Sequence, residues 1–552
     1  MKKIALTLCA LALCLGALAQ PGAMPENVVL TARATSTIQY GGPTRAEGRS
    51  YNFTPMFFIY PDGKVDKAAA EALLRELDIQ PLLDSDYGTA LVINPVGDKY
   101  AAEADFDAFV KLFNASRGPG NLKVVGIGQG ATFVNQVIAP KAGGQIADIL
   151  TVGGKPGKSV DPAGVPAYVA GKGAAKVAKP YQAAVAAHAD EPLRKVVVNP
   201  AQASLKEVFA DAWKQVLGRN YRYNNYNHTH YDGAQFGQYG TYELEPYLDC
   251  ESLGIKRIIV EQPVGQPQRG REVPKQLWYE YWPEDLLPGA PAQSVPVMVL
   301  LHGNQNDPRT QAETSGFIQL AGEKRFFVVE MEWQGTPNYQ AMGHDGIESV
   351  LYQLFAKYPQ LDPSRVYAEG LSAGSITATA LGIKKSHLFT AVGGHSGGIF
   401  GGPFKGYTSF DILWAEATQK RGAVEVPYCS VFGTADNVVP YIKPDNWKDN
   451  NYLNAWNAYE QMNGMPVVRE IDFAIDPVFG QPMRDRETIV TNKGDGITIE
   501  TGQLYKGDIP LIKMVAVMDY GHWNFMPTAR IMWDYFMHFR RDPETKKLIY
   551  IP

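Results

Sequence analysis

Short apolar runs alternate along this chain with longer stretches whose apolar residues recur at helical spacing. In the C-terminal half, Val297 to Leu301 reads as a buried strand that stops at His302-Gly303, and Phe326 to Glu332 reads as another. Ile347 to Lys357 has the three-to-four spacing of a helix face, and Arg365 to Glu369 is a strand leading into Gly370. The runs at Ala391-Val392-Gly393-Gly394, Pro427 to Phe432 and Lys513 to Met518 are further strands, with helices between them. Continuous apolar runs bounded by turn residues and separated by helices predict a mostly parallel, doubly wound sheet.

The N-terminal half repeats this order. Met56 to Tyr60, followed by Pro61-Asp62-Gly63, stands where Val297 to Leu301 and His302-Gly303 stand later. Ala90 to Asn94 is a second strand, and Phe106 to Phe113 a helix. Lys123-Val124-Val125 leads into Gly126-Ile127-Gly128-Gln129-Gly130, and Leu150 to Gly154, Val165 to Ala170 and Lys195 to Val198 follow. Thr390 to Gly394 echoes Leu150 to Gly154, and Val426-Pro427 with Gly433 echoes Val165-Pro166 with Gly171. The pattern predicts a duplicated α/β domain, the first over 20–235 and the second over 236–552. The join is rich in Tyr and Asn, and its His228-Thr229-His230 reads as polar surface, because no acidic or Cys cluster nearby would complete a metal site.

Composition narrows the class without changing the fold. Of 552 residues, 45% are hydrophobic and 20% charged, with a net charge of -5 and no long run of one sign. That is a folded chain with no electrostatic case for nucleic acid or an anionic membrane as partner. Lys2-Lys3, the apolar stretch Ile4 to Leu18 and the small-residue site Ala17-Leu18-Ala19 predict a secretory signal over 1–19, and hence a secreted or periplasmic protein. No later stretch is long and apolar enough to span a membrane. Beyond this leader only Cys250 and Cys429 remain, and they read as two separate thiols.

The candidate chemistry sits where the second sheet needs it. Gly370-Leu371-Ser372-Ala373-Gly374 joins a strand pattern to a helix pattern, and its glycines permit a sharp bend that exposes the Ser372 hydroxyl. A serine needs a base to take its proton. Asp436 follows the strand ending in Val431-Phe432-Gly433, and His522 follows the last core strand, in the order serine, acid, histidine. Asp411 is a weaker choice of acid because no strand precedes it. The N–H groups of Ala373, at a helix start, and of Asn304, in the loop after Leu301, are the expected oxyanion donors. His302 is expected to hold that loop from beneath. Trp333 and Trp523 are expected at the substrate pocket, with core packing the alternative. No metal or organic cofactor is called for.

At this point the C-terminal half resembles the polyhydroxybutyrate depolymerase and feruloyl-esterase group of secreted α/β-hydrolases. The matching pieces are Leu300-Leu301-His302-Gly303, Leu361 to Tyr367, the turn at Gly370 to Gly374, His395-Ser396-Gly397, Gly433 to Asp436 and Gly521-His522-Trp523. The resemblance implies carboxylic-ester hydrolysis through an acyl-enzyme, with Ser372, Asp436 and His522 as the triad and polysaccharide-linked acyl or feruloyl esters, or polyesters, as substrates. It also places His395 near the pocket, with packing under the turn the alternative. The family usually lacks an N-terminal half of this kind, and the stretch from Pro440 to Leu511 is long, with a charged, hairpin-like region at 492–496.

In the first half the serine position falls on Gly128 and the acid on Gly173 or Ala174. Counting back from Trp213 as far as His522 lies before Trp533 gives Gln202 as the base position. None of these has a titratable side chain, so the first half is expected to be a catalytically inactive hydrolase-like domain. The rival readings are a secreted serine peptidase of prolyl-oligopeptidase type and a non-catalytic polymer-binding protein. The first rival lacks a blade-length repeat in 20–235 to form its propeller, and the order of Ser372, Asp436 and His522 argues against the second.

Overall fold

The structure, a computed structural model, describes residues 24–35, 54–86, 88–116, 118–188, 193–223, 236–237, 243–248, 250, 253–265, 273–304, 306, 308–335, 339–399, 424–468, 470–491 and 497–552. The leader 1–19, His228-Thr229-His230, Asp411 and the turn at 492–496 lie outside the described residues.

The first unit is built on a seven-stranded sheet. Its strands are β1 (Val28–Arg33), β2 (Met56–Tyr60), β3 (Thr89–Ile93), β4 (Leu122–Ile127), β5 (Asp148–Val152), β6 (Ala167–Ala170) and β7 (Val196–Asn199), in the order β1-β3-β2-β4-β5-β6-β7. Only β1 runs antiparallel to its neighbour. Strands β2 and β3 are buried at every residue, which is why they read as unbroken apolar runs. Alternate residues feed two cores: Phe58 and Leu91 face one, Phe57 and Ala90 the other. A small pair, β8 (Asn220–Tyr223) and β9 (Glu243–Pro246), closes the unit. The first unit ends at Tyr247 and the second begins at Leu248. This is later than the expected 235/236 junction, because β9 pairs back onto β8.

The second unit repeats the plan. Its strands are β10 (Ile255–Pro263), β11 (Lys275–Pro283), β12 (Val295–Leu301), β13 (Phe327–Met331), β14 (Leu361–Gly370), β15 (Ala391–His395), β16 (Tyr428–Gly433), β17 (Arg484–Val490), β18 (Thr498–Lys506) and β19 (Ile509–Val517). The order is β10-β11-β13-β12-β14-β15-β16-β19-β18-β17. The run from β11 to β19 matches the run from β1 to β7, with one antiparallel strand followed by six parallel ones. The chain therefore contains two tandem α/β-hydrolase-like sheets. The second is extended by β10 at one edge and by the hairpin strands β18 and β17 at the other. These additions are antiparallel and only half-apolar, so an apolar-run pattern does not reveal them. No disulfide joins Cys250 and Cys429. Among the described residues no helix is long and apolar enough to cross a membrane.

Candidate active site

The site lies at the C-terminal ends of parallel strands of the second sheet. Strand β14 ends at Gly370, opposite Leu301 of β12, and the chain turns sharply into the helix Ala373–Lys384. Ser372 takes the bend at φ 55 and ψ −116, a conformation that costs a non-glycine residue about 1–3 kcal/mol. Its neighbours explain how the bend closes. A Cβ on Gly370 would run into the backbone of Gly374, and a Cβ on Gly374 would overlap the carbonyl of Leu301. Two hydrogen bonds then hold the turn: Ser372 N–H to His395 O (2.8 Å) and Ile376 N–H to Ser372 O (3.1 Å).

The loops that carry Asp436 and His522 follow β16 and β19, two and three strands from β14. Strands β15, β16 and β19 lie side by side, with His395 opposite Val431 and Gly433 opposite Val517. His522 Nδ1 lies 2.8 Å from Asp436 Oδ2, and both side chains are buried. The other carboxylate oxygen of Asp436 accepts the N–H groups of Val438 (2.8 Å) and Val439 (2.9 Å), so the carboxylate is fixed from both sides. The loops are also tied through their backbones: Ala435 N–H donates to Tyr520 O (3.0 Å), and Asp519 N–H to Thr434 Oγ1 (2.8 Å). A second anchor comes from the helix Pro308–Thr314. Gln311 donates to Asn524 Oδ1 (3.1 Å), and the Tyr520 hydroxyl donates to Asn524 O (2.6 Å). Gln311 and Asn524 are more than 200 residues apart in sequence, so no local pattern announces them.

His395 is brought to the same place. Its carbonyl receives the Ser372 N–H, and its ring Nδ1 lies 3.1 Å from Ser396 Oγ. Burial first, and then the neighbouring His522, push its pKa down to about 3, against the opposing pull of Asp436. Its backbone pairs with the turn, with His395 opposite Leu371.

The loop after β12 runs past the turn. A Cβ on Gly303 would lie 3.6 Å from Ser372 Cβ. Ala373 is the first residue of its helix, so its N–H has no carbonyl behind it in the helix. The side chain of Asn304 accepts a hydrogen bond from Gln334 (3.1 Å). His302 is buried beneath the loop, bonded to Gly303 O (2.8 Å) and Glu332 (3.2 Å). Trp333 donates from Nε1 to His302 O (2.9 Å) and packs near the His302 ring, which makes it a brace for this loop. Trp523 follows the histidine and is buried.

A family model described as Esterase PHB depolymerase matches residues 281–427. The match lies within the second unit, whose strand order is that of an α/β-hydrolase-like sheet. The matched segment contains the Ser372 turn and ends before the loops of Asp436 and His522. Among solved structures, the chain is similar to an acetyl xylan esterase from Aspergillus awamori (15% identity, TM-score 0.34, covering 50% of this chain and 99% of that one). It is also similar to FphF, a fluorophosphonate-binding serine hydrolase of Staphylococcus aureus (14% identity, TM-score 0.27, 33% and 81%), and to a thermostable esterase (12% identity, TM-score 0.31, 51% and 63%). These are likenesses of part of the chain and say nothing of its substrate. No curated protein matches it.

The first unit carries the same turn without the serine. Gly128 sits at φ 55 and ψ −111, after β4, and its N–H donates to Val152 O (3.0 Å) as that of Ser372 does to His395. A Cβ on Gly130 would overlap the Tyr60 carbonyl, as one on Gly374 would overlap that of Leu301. Asp62 Oδ1 accepts the N–H of Gln129 (2.8 Å), and a Cβ on Gly128 would overlap the Asp62 carboxyl. The loops after β6 (Gly171-Lys172-Gly173-Ala174) and after β7 (Pro200-Ala201-Gln202-Ala203) contain neither a carboxylate nor a histidine.

Proposed function

We propose that this is a secreted serine carboxylic-ester hydrolase that works through an acyl-enzyme at Ser372. His522 takes the proton of Ser372 Oγ as it attacks the ester carbonyl, and returns it to the departing alcohol. Asp436 holds the His522 tautomer that presents Nε2 to the serine, and it stabilises the imidazolium that forms. The N–H groups of Ala373 and Asn304 receive the developing oxyanion. A water activated by His522 then releases the acid. The observation that carries this reading is the 2.8 Å His522–Asp436 bond, made by loops tied to each other at the end of a sheet that also presents Ser372 in a strained turn.

The chemistry asked of the site is ester cleavage, with acyl groups on polysaccharides, feruloyl esters or polyesters as the proposed substrates, the last in keeping with the description of the matching family model. His395, Trp523 and Trp333 are the residues proposed to shape the pocket, with Trp333 acting through the loop it braces. The first unit is proposed to be catalytically inert and to serve as scaffold or polymer contact. Hydrolysis of a p-nitrophenyl ester by wild type and by Ser372→Ala tests the assignment. The variant is expected to lose activity by about 10⁵-fold or more. Equal rates would remove the proposal.

A further inference from the structure

Two features meet beside Gly303. The loop after β12 folds back through a hydrogen bond from Asn306 N–H to Gly303 O (3.1 Å). This turn brings the Asn306 side chain over Gly303. The position that a Cβ would take on Gly303 lies 3.7 Å from Asn306 Nδ2 and 3.6 Å from Ser372 Cβ. Glycine at 303 thus leaves room between the proposed nucleophile and an amide. That amide is buried, with Asn306 only 2% exposed, and among the described residues neither its Nδ2 nor its Oδ1 has a hydrogen-bond partner. An unsatisfied buried amide costs stability, so its retention asks for a role.

The first unit shows what chemistry this room accepts. Tyr60 pairs with Gly126 as Leu301 pairs with Gly370, so Asp62 stands where Gly303 stands, and Gln129 where Ala373 stands. There the side chain of residue 62 fills the space, and its carboxylate oxygen accepts the Gln129 N–H. One half of the molecule therefore holds an anionic oxygen where the other half has only glycine, a helix-start N–H and an unpartnered amide.

We propose that Asn306 is a catalytic residue whose side-chain Nδ2–H donates to the acyl oxygen as it becomes an oxyanion. The inference rests on the ester-hydrolysis reading. Ser372 Oγ bonds to the carbonyl carbon while its proton passes to His522. The carbonyl π pair moves onto oxygen, where the Asn306 side chain joins the N–H groups of Ala373 and Asn304 in binding it. Collapse restores the carbonyl and expels the alcohol, protonated by His522. Because the donor is aimed at charge that exists only in the transition state, its loss falls on kcat.

Asn306→Ala, Asn306→Leu and Asn306→Asp are to be compared with wild type for kcat and KM on a p-nitrophenyl ester, for Tm, and for inhibition by a trifluoromethyl ketone, which forms a hemiketal oxyanion on a serine. Asn306→Ala is expected to lower kcat by about 100-fold with KM within about threefold, and to weaken the ketone by a factor similar to the kcat loss. Its Tm is expected to be unchanged or higher, because the removed amide has no protein partner. Asn306→Leu, which restores bulk without a donor, is expected to stay slow, and Asn306→Asp to be slower still because a carboxylate repels the oxyanion. Wild-type kcat in Asn306→Ala, or rescue by Asn306→Leu, would overturn the role. Ser372→Ala separates the two levels. If it hydrolyses as fast as wild type, the ester-hydrolysis reading itself fails. If it is dead while Asn306→Ala is fully active, only the role of Asn306 fails.

Discussion

The turns at Gly128 and at Ser372 share a backbone: φ 55 and ψ −111 in one, φ 55 and ψ −116 in the other. Both donate an N–H to the end of the next strand, and both are closed by a glycine two residues on that admits no side chain. The geometry of the turn is thus a property of the sheet and its packing and persists without chemistry. What differs is the set of side chains around it. The second unit places Ser372 there and brings Asp436 and His522 to the adjacent strand ends. The first places glycine there, fills the space with Asp62, and offers neither acid nor base in the corresponding loops. Serine in such a conformation is costly, about 1–3 kcal/mol, whereas glycine is at ease in it. A strained residue kept in one copy and relaxed in the other marks the copy whose strain serves a purpose.

The largest effect that would sharpen this contrast is on the acid. Asp436→Asn keeps the shape of the loop and its bond to His522 but favours the wrong tautomer, so kcat on a p-nitrophenyl ester is expected to fall by about 10⁴-fold. A fall under tenfold would point to a different orienting group. The turns themselves come next. Gly374→Ala and Gly130→Ala each drive a Cβ into a carbonyl of the preceding strand end, Leu301 in one unit and Tyr60 in the other. Each is expected to destabilise its own unit by about 2–3 kcal/mol in denaturant unfolding. Tolerance of Gly130→Ala alone would break the equivalence of the two turns. The smallest effect is on Asp62. Asp62→Ala removes a carboxylate that caps the Gln129 N–H and is expected to cost about 1 kcal/mol. No cost would mean that the carboxylate is an idle neighbour.

Much of this was legible in the sequence, for reasons particular residues make plain. Parallel strands buried on both faces, such as Phe57 to Tyr60 and Val297 to Leu301, are unbroken apolar words. The two turns are local, and each glycine in them answers a steric demand from within a few residues or from the strand alongside. Ser372, Asp436 and His522 stand out as candidates because each follows a core strand in the order serine, acid, histidine, and the structure joins the last two by a hydrogen bond. The antiparallel strands β1, β10, β11, β17 and β18 were not, since they mix polar with apolar residues. The anchors Gln311 and Asn524 were invisible because their bond spans more than 200 residues. Trp333 was expected at the pocket on the strength of its ring, while its indole N–H in fact braces the loop beneath. Asn306 escaped notice because nothing in Gly303-Asn304-Gln305-Asn306 tells which side chain the turn brings beside Gly303.

The most direct test of the contrast between the two turns is covalent. Intact-mass analysis and peptide mapping after treatment of the full chain with a fluorophosphonate should find one adduct, on Ser372, and none in Ser372→Ala. Absence of an adduct on Ser372, or labelling within residues 24–247, would contradict the account.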